Sequence, residues 1–164
     1  MAFMSAIGYR LWMADATSAS DTHPSSSTGL TEILNLTNAG IEGTTETQTV
    51  TDYGTTGGFQ KAVATSQSYS IPMSMNLDTV DAGYKLLKDA ALDAPTGQYV
   101  KWYRESPDPG ASVATVEKHS GIGIITDFSE SIEAGGIATV SFTLQGYGSY
   151  TYTEATAPTP SPSP

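Results

Sequence analysis

Three acids, Asp127, Glu130 and Glu133, recur every third residue in "TDFSESIEAGG". Two carboxyl groups flanking a glycosidic bond can act as acid and base, so these residues come first when chemistry is sought. They fall at or near a hairpin end, where acids are solvated, and no aromatic sugar platform accompanies them. The "GIG" at 121–123 lacks the third glycine and the helix N-terminus that dinucleotide binding needs. It reads instead as a bulge or a close backbone approach. Serines are abundant, but no Gly-x-Ser-x-Gly elbow exposes a nucleophile. There is no cysteine, which removes disulfides, thiolate metal sites and thiol catalysis. Of the two histidines, His23 and His119, the first stands in the loop-like "SDTHPSSS". A zinc site would have to recruit carboxylates, whereas common zinc sites use several N or S ligands. "NLT" at 35–37 matches a glycosylation acceptor, which means little without a secretory signal. The opening "MAFMSAIGYRLWMADA" has no positive n-region, and Arg10 breaks its apolar stretch, unlike a cleaved signal peptide. The residues therefore present no catalytic group, no cofactor site and no metal ligand set, and a non-enzymatic role is expected.

Charge narrows the partners. With 17 acids against 7 bases, the net charge is -10. Attraction to phosphate backbones through counterion release is not on offer, which argues against an ordinary nucleic-acid binder. No apolar run reaches transmembrane length. A chain of 164 residues fits one domain with a core large enough to be stable without staples.

The elements that would position any site are mostly strands. In "IGYRLWM" at 7–13, Tyr9, Leu11 and Met13 share one face and Arg10 and Trp12 the other. The small polar residues of 17–29 form a loop, and Leu34 and Leu36 mark a second strand whose phase Ile33 blurs. The stretch 43–65 is rich in Thr and Gly, has no core stripe, and is expected as a long connection without secondary structure. The third strand alternates cleanly: Tyr69, Ile71, Met73, Met75 and Leu77 against Ser68, Ser70, Pro72, Ser74 and Asn76. Pro72 must then sit at an edge, a bulge or an outward-pointing position, since it cannot donate to a ladder. Helical spacing follows at Val80, Tyr84, Leu87 and Ala91, with Asp78 or Thr79 as cap and Pro95 and Gly97 as stop. A fourth strand at 98–104 turns Val100 and Trp102 to one side, and a fifth, broken near Gly121, leads to a last hairpin. Its final strand sets Ala138, Val140, Phe142 and Leu144 against Thr139, Ser141, Thr143 and Gln145. Four prolines in the last seven residues imply an extended, mobile tail from 151 to 164. The expected fold is mainly β: a sandwich or barrel of roughly six to eight strands, with one α-helix packed on one side. An arm of residues 1–8 precedes a single β domain at 9–150.

Two segments carry a likeness to a known family: "ATSQSYSIPMSMNLDTVDAGYKLLKDAALDAPTGQYVKWYRESPDPG" and "GIGIITDFSESIEAGGIATVSFTLQGYG". In their order of strand, acid-capped helix with a tyrosine before a Leu-Leu pair, aromatic strand and closing hairpin, residues 28–148 resemble the tail tube (major tail) proteins of long-tailed bacteriophages. The insertion at 17–28 and the proline tail fall outside the pattern. The resemblance implies six-membered rings stacked into a hollow virion tube, built in the host cytoplasm, each subunit lending four strands to a continuous inner β-barrel that conducts the genome. About 24 strands at about 4.8 Å spacing and about 40° tilt give a backbone bore about 50 Å across. The partners implied are the chain itself, other tail proteins at the tube ends, and DNA that passes without specific binding.

On this reading the uncharged polar faces line the lumen, where basic groups would hold phosphates and stall passage. The lumen set is Asn35, Thr37, Ser68, Ser70, Ser74, Asn76, Thr139, Ser141, Thr143 and Gln145, with Asp127, Glu130 and Glu133 at or near the rim. Within 43–65, Thr49, Val50, Asp52, Tyr53 and Phe59 would reach the neighbouring ring. Two alternatives remain: a carbohydrate-binding or adhesive β-sandwich with Tyr99, Trp102 and Tyr103 as its platform, or another virion part such as a capsid decoration protein.

Overall fold

The computed structural model describes residues 8–50, 61–92, 99–107 and 115–156. Period-two alternation dominates them, and they form nine strands and one helix. In chain order these are β1 (Arg10–Ala16), β2 (Thr31–Glu32), β3 (Leu36–Ala39), β4 (Glu42–Val50), β5 (Lys61–Asn76), α1 (Ala82–Leu92), β6 (Tyr99–Glu105), β7 (Lys118–Ser131), β8 (Thr139–Gly146) and β9 (Thr151–Thr153). All the strands join one antiparallel sheet in the order β2-β1-β6-β7-β8-β5-β3, with β4 beside the first half of β5 and β9 beside the start of β7.

The sheet curls so that its apolar face closes on itself. Alternate residues of five strands, among them Met13, Trp102, Ile71, Met73, Phe142 and Leu144, make one core cluster. Tyr69 on β5 spans the curl to β6 and β7: its hydroxyl donates to the Ile122 carbonyl at 2.9 Å and accepts from Trp102 Nε1 at 3.3 Å. Both buried polar groups thus find partners, as the low dielectric of a core demands. The tyrosine fits because of glycines. A Cβ at Gly121 would stand 2.6 Å from the Tyr69 hydroxyl and 3.0 Å from Trp102 Nε1, and one at Gly146 would overlap the Tyr69 ring. The glycines of "GIG" therefore mark a close approach. The β6–β7 register runs through Gly121 without a shift, so the expected break is absent there. At the outer edge, Arg104 of β6 donates to the Ala39 carbonyl of β3 at 3.2 Å, tying the far margin back.

Helix α1 packs across β7, β1 and β2, burying Gly83, Tyr84, Leu87 and Ala90. Its cap is Asp81, whose carboxylate accepts from the Tyr84 N–H at 3.1 Å, satisfying a donor that the first turn would leave free. Asp78 caps the preceding turn through the Val80 N–H at 3.0 Å. Val80 lies outside the stripe, 78% exposed.

Four expectations need correction. The stretch 43–65 is not an unstructured connection. Together with Glu42, its described residues are the two arms of a hairpin, β4 and the start of β5, paired from Glu42↔Ser70 to Val50↔Lys61. The second strand splits at Asn35, whose φ of 57° bends the backbone, and the phase inverts so that Ile33 is buried and Leu34 exposed. The segment 151–164 is not wholly a mobile tail: Thr151–Thr153 pair with β7, and Thr156 bridges Thr115. Each of these adds a strand, which raises the count to nine. The sugar platform also fails. Trp102 is completely buried, and Tyr103 is covered beside Trp12, with ring centroids 5.7 Å apart. The insertion after β1 crosses toward β6 and β9, through Lys101 to Asp21 at 3.8 Å and His23 Nδ1 to Thr151 Oγ1 at 2.9 Å.

Candidate functional site

The two uncharged strand faces turn out to be neighbours. Opposite residues in an antiparallel pair project to the same side, and β5 pairs β8 as Ser70↔Gln145, Pro72↔Thr143, Ser74↔Ser141 and Asn76↔Thr139. Their polar faces fuse into one surface. On the far side of β8, Thr126, Ser129 and Ser131 of β7 stand opposite Thr143, Ser141 and Thr139. On the far side of β5, Asn38 of β3 stands opposite Ser74. The result is a ribbon four strands wide, β7-β8-β5-β3, hydroxyl- and amide-rich, with Pro72 as an apolar interruption. Ile124, opposite Gln145, stands at its upper margin. Charge enters where the ribbon meets the hairpin, at Glu42 opposite Ser70, and at the β7 edge, where the Asp127 carboxylate lies 3.1 Å from Thr126 Oγ1.

Several of its polar groups are anchored to main chain, which fixes the surface without charge. Thr126 Oγ1 donates to the Thr143 carbonyl at 3.2 Å, Thr37 Oγ1 to the Ser74 carbonyl at 3.0 Å, and Gln145 Nε2 to the Tyr69 carbonyl at 3.2 Å. Pro72 is tolerated because the strand on its other side is interrupted: β3 ends at Ala39 opposite Met73, and β4 begins at Glu42 opposite Ser70. The missing N–H therefore coincides with a gap in that ladder.

The expected site residues sort as follows. Ser70, Ser74, Asn76, Thr139, Ser141, Thr143 and Gln145 share the ribbon, and Ser68, opposite Thr44, continues it into the hairpin. Thr37 sits in the β3 irregularity beside it. Asn35 lies in the bend before β3, where its carbonyl accepts from the Asn76 N–H at 3.1 Å. Asp127 occupies a bulge between Thr126 and Ser129, with φ 55°, and Glu133 lies exposed in the β7–β8 turn. Glu130 must be moved. It stands opposite Val140, on the core and helix side, where it accepts from the Tyr84 hydroxyl at 2.5 Å and from Lys88 at 3.2 Å. Those two bonds, the tyrosine first, hold its carboxyl below the usual glutamate range. The three acids are thus not gathered on one surface, and the acid-base pair they suggested dissolves. Among the described residues no group of three or more His, Asp or Glu could hold a metal ion. Nor, among them, is any helix long and apolar enough to cross a membrane.

Thr126, Ser129, Ser131 and Asn38 were missed by the alternation argument. The bulge hides the first three, because an extra residue flips the phase of β7. The signal was present: Ile125 and Phe128 both face the core cluster although three residues apart, a spacing no regular strand allows.

The second feature is the hairpin. Every residue of β4 is exposed, as are the first eight of β5. Thr49 and Val50 end its first arm; Asp52, Tyr53 and Phe59 lie outside the described residues.

No family model matches the sequence, and no curated protein matches it. Solved structures do. A chain from the tail of an empty gene transfer agent particle, helically refined with C6 symmetry, superposes with a TM-score of 0.62 at 19% identity, over 88% of this chain and 96% of that one. A chain of the native gene transfer agent virion gives 0.60 at 19%, over 76% and 89%. A chain of the SPP1 tail tube gives 0.61 at 16%, over 91% and 78%. At such identities the likeness is one of fold, and the fold of this chain is that of the SPP1 tail tube chain and of chains in gene transfer agent particles.

Proposed function

We propose that the chain is a structural tail tube subunit of a phage-type virion: six copies close into a ring, rings stack, and DNA passes through the bore. The observation that carries this reading is the four-strand ribbon. A surface that must be wet beside a polyanion yet must not grip it is best made of hydroxyls and amides, because each lysine or arginine would hold a phosphate by releasing counterions. The lumen face would comprise Ser68, Ser70, Ser74, Asn76, Thr139, Ser141, Thr143 and Gln145, joined by Asn38, Thr126, Ser129 and Ser131, with Asn35, Thr37, Asp127 and Glu133 at its margins.

Open edges support the same reading. β6 stops pairing with β7 at Ile124, so residues 125–131 have no strand on that side among the described residues. At the other margin, β3 and β4 have no outer neighbour among them. Unpaired edges are templates for another chain, and head-to-tail contacts that close on themselves consume them in a ring. Other tail proteins would meet the tube at its ends, with assembly in the host cytoplasm.

Electron microscopy of the purified protein tests this directly. Tubes or six-fold rings are expected; a protein that stays monomeric at high concentration, in every condition that assembles other tubes, would overturn it.

A further inference from the structure

Beyond Tyr69 and Trp102 the inside of the curl changes character. One alternation further along β6, β7 and β5, the core side carries Arg104, His119 and Gln67 where it carried Trp102, Gly121 and Tyr69. Thr45 of β4 stands opposite Gln67. With Glu117 and Tyr150, these four line a cavity of about 740 Å3. Mouths of curled sheets are common ligand sites, and small-molecule pockets run to about 300–1,000 Å3. This cavity lies on the reverse of the sheet from the polar ribbon, so it is separate from the surface assigned to the lumen.

Its polar groups are unevenly satisfied. Glu117 accepts from His119 Nε2 at 2.6 Å and lies 3.7 Å from Arg104 Nη2, while Arg104 Nη1 donates to the Ala39 carbonyl at 3.2 Å. Arg104 Nε and His119 Nδ1 are left over: both are buried, and neither has a hydrogen-bond partner among the described residues. Buried polar atoms are nearly always paired, so two orphans on one cavity call for a partner from outside the chain. The two differ in kind. Nε and Nη2 of a guanidinium form a fixed cationic fork that matches the two oxygens of a carboxylate. His119 carries its proton on Nε2, against the Glu117 carboxylate, so Nδ1 presents a lone pair and acts as an acceptor. A cationic donor edge and a neutral acceptor together match a molecule bearing both a carboxylate and a hydroxyl. Burial lowers the Arg104 pKa from its ordinary value, and a carboxylate against the fork would offset that cost.

We propose that the mouth of the curl binds a hydroxylated carboxylate of the sugar-acid class. Its carboxylate seats on the Nε–Nη2 edge of Arg104, one hydroxyl donates to His119 Nδ1, and further hydroxyls meet Thr45 and Gln67, both exposed on the hairpin strands. The cavity is much larger than a three-carbon hydroxy acid would fill, which favours a sugar ring. Tyr150, 39% exposed and outside any strand, is the side chain that gives way to admit it.

The test is calorimetric titration of the purified chain with glucuronate, glucose and acetate at matched ionic strength. Saturable binding of glucuronate is expected, with glucose and acetate each weaker by at least about tenfold, the worth of one hydrogen bond to a charged group. Arg104→Lys keeps the charge without the fork, and His119→Phe keeps a ring without the acceptor; each should weaken glucuronate by a similar factor. No saturable binding at about 50 mM, well above the weak-binding scale, would overturn the proposal. Glucose binding as tightly as glucuronate would remove the carboxylate anchor, and acetate doing so would remove the sugar. Should either variant misfold, Thr45→Trp decides, because it fills the mouth from an exposed position; undiminished glucuronate binding by that folded variant would overturn the site.

Discussion

Strand β5 is one continuous strand with two different halves. From Tyr69 to Met75 every second residue is buried, and Ile71, Met73 and Met75 pair with β8. From Lys61 to Ser68 nothing is buried, and β4 is the single partner among the described residues. A two-stranded ribbon is at best marginal alone, so the first half, which also carries a bulge at Thr65, contributes little to folding. Folding free energy sits in one half and exposed surface in the other. The division explains why the hairpin can be so rich in threonine, serine and glutamine: it has no core of its own to fill.

That contrast can be broken or sharpened by substitution. The largest effect is expected from Trp102→Ala, which empties the centre of the curl and should cost about 3–5 kcal/mol in urea titration; a change under 1 kcal/mol would mean the core lies elsewhere. Tyr69→Phe keeps the ring but strands Trp102 Nε1, while the Ile122 carbonyl keeps the Tyr147 N–H at 2.9 Å; the expected loss is about 1–3 kcal/mol. Asp81→Ala removes the helix cap and should lower stability by about 1 kcal/mol. The smallest change in the body should come from Glu130→Gln, best seen as a function of pH. The native carboxyl is held below its unfolded value, so the unfolded chain binds the proton more readily. Its stabilisation is full above the unfolded pKa and fades as pH falls through the depressed native one. The Gln variant should therefore show a shallower loss of melting temperature on the acid side, and parallel acid limbs would remove Glu130 from the account. In the hairpin, Thr45→Ala and Ser66→Ala should shift the midpoint by less than about 0.5 kcal/mol. A drop comparable to Tyr69→Phe would show that both halves of β5 belong to one folding unit.

The same contrast marks what could be read in advance. Alternation locates a strand only where one face is buried, so the second half of β5, β6 and β8 were legible, down to the pairing of Val100 with Trp102 on one side. The hairpin offered no such stripe, and its threonines read as a loop although they favour strands. Helix α1 was legible in existence, and its expected stop at Pro95 and Gly97 lies outside the described residues; Asp81 rather than Asp78 or Thr79 is its cap, and Val80 precedes it. Individual ribbon residues were legible as polar faces; that they adjoin was not, because register between β5 and β8 depends on a long connection and not on local pattern. Glu130 was misplaced by the bulge two residues earlier, which reverses the parity of everything after it.

The ribbon has one further property. Its strands run alternately up and down, and their number is even, so the first and last run in opposite directions. When identical copies are set side by side with their polar faces turned the same way, the strands meeting at each seam are antiparallel, just as they are within a copy. Strand direction therefore places no limit on how many copies complete the circle. That number is left to the curvature of the ribbon and the bulk of the side chains along its two margins.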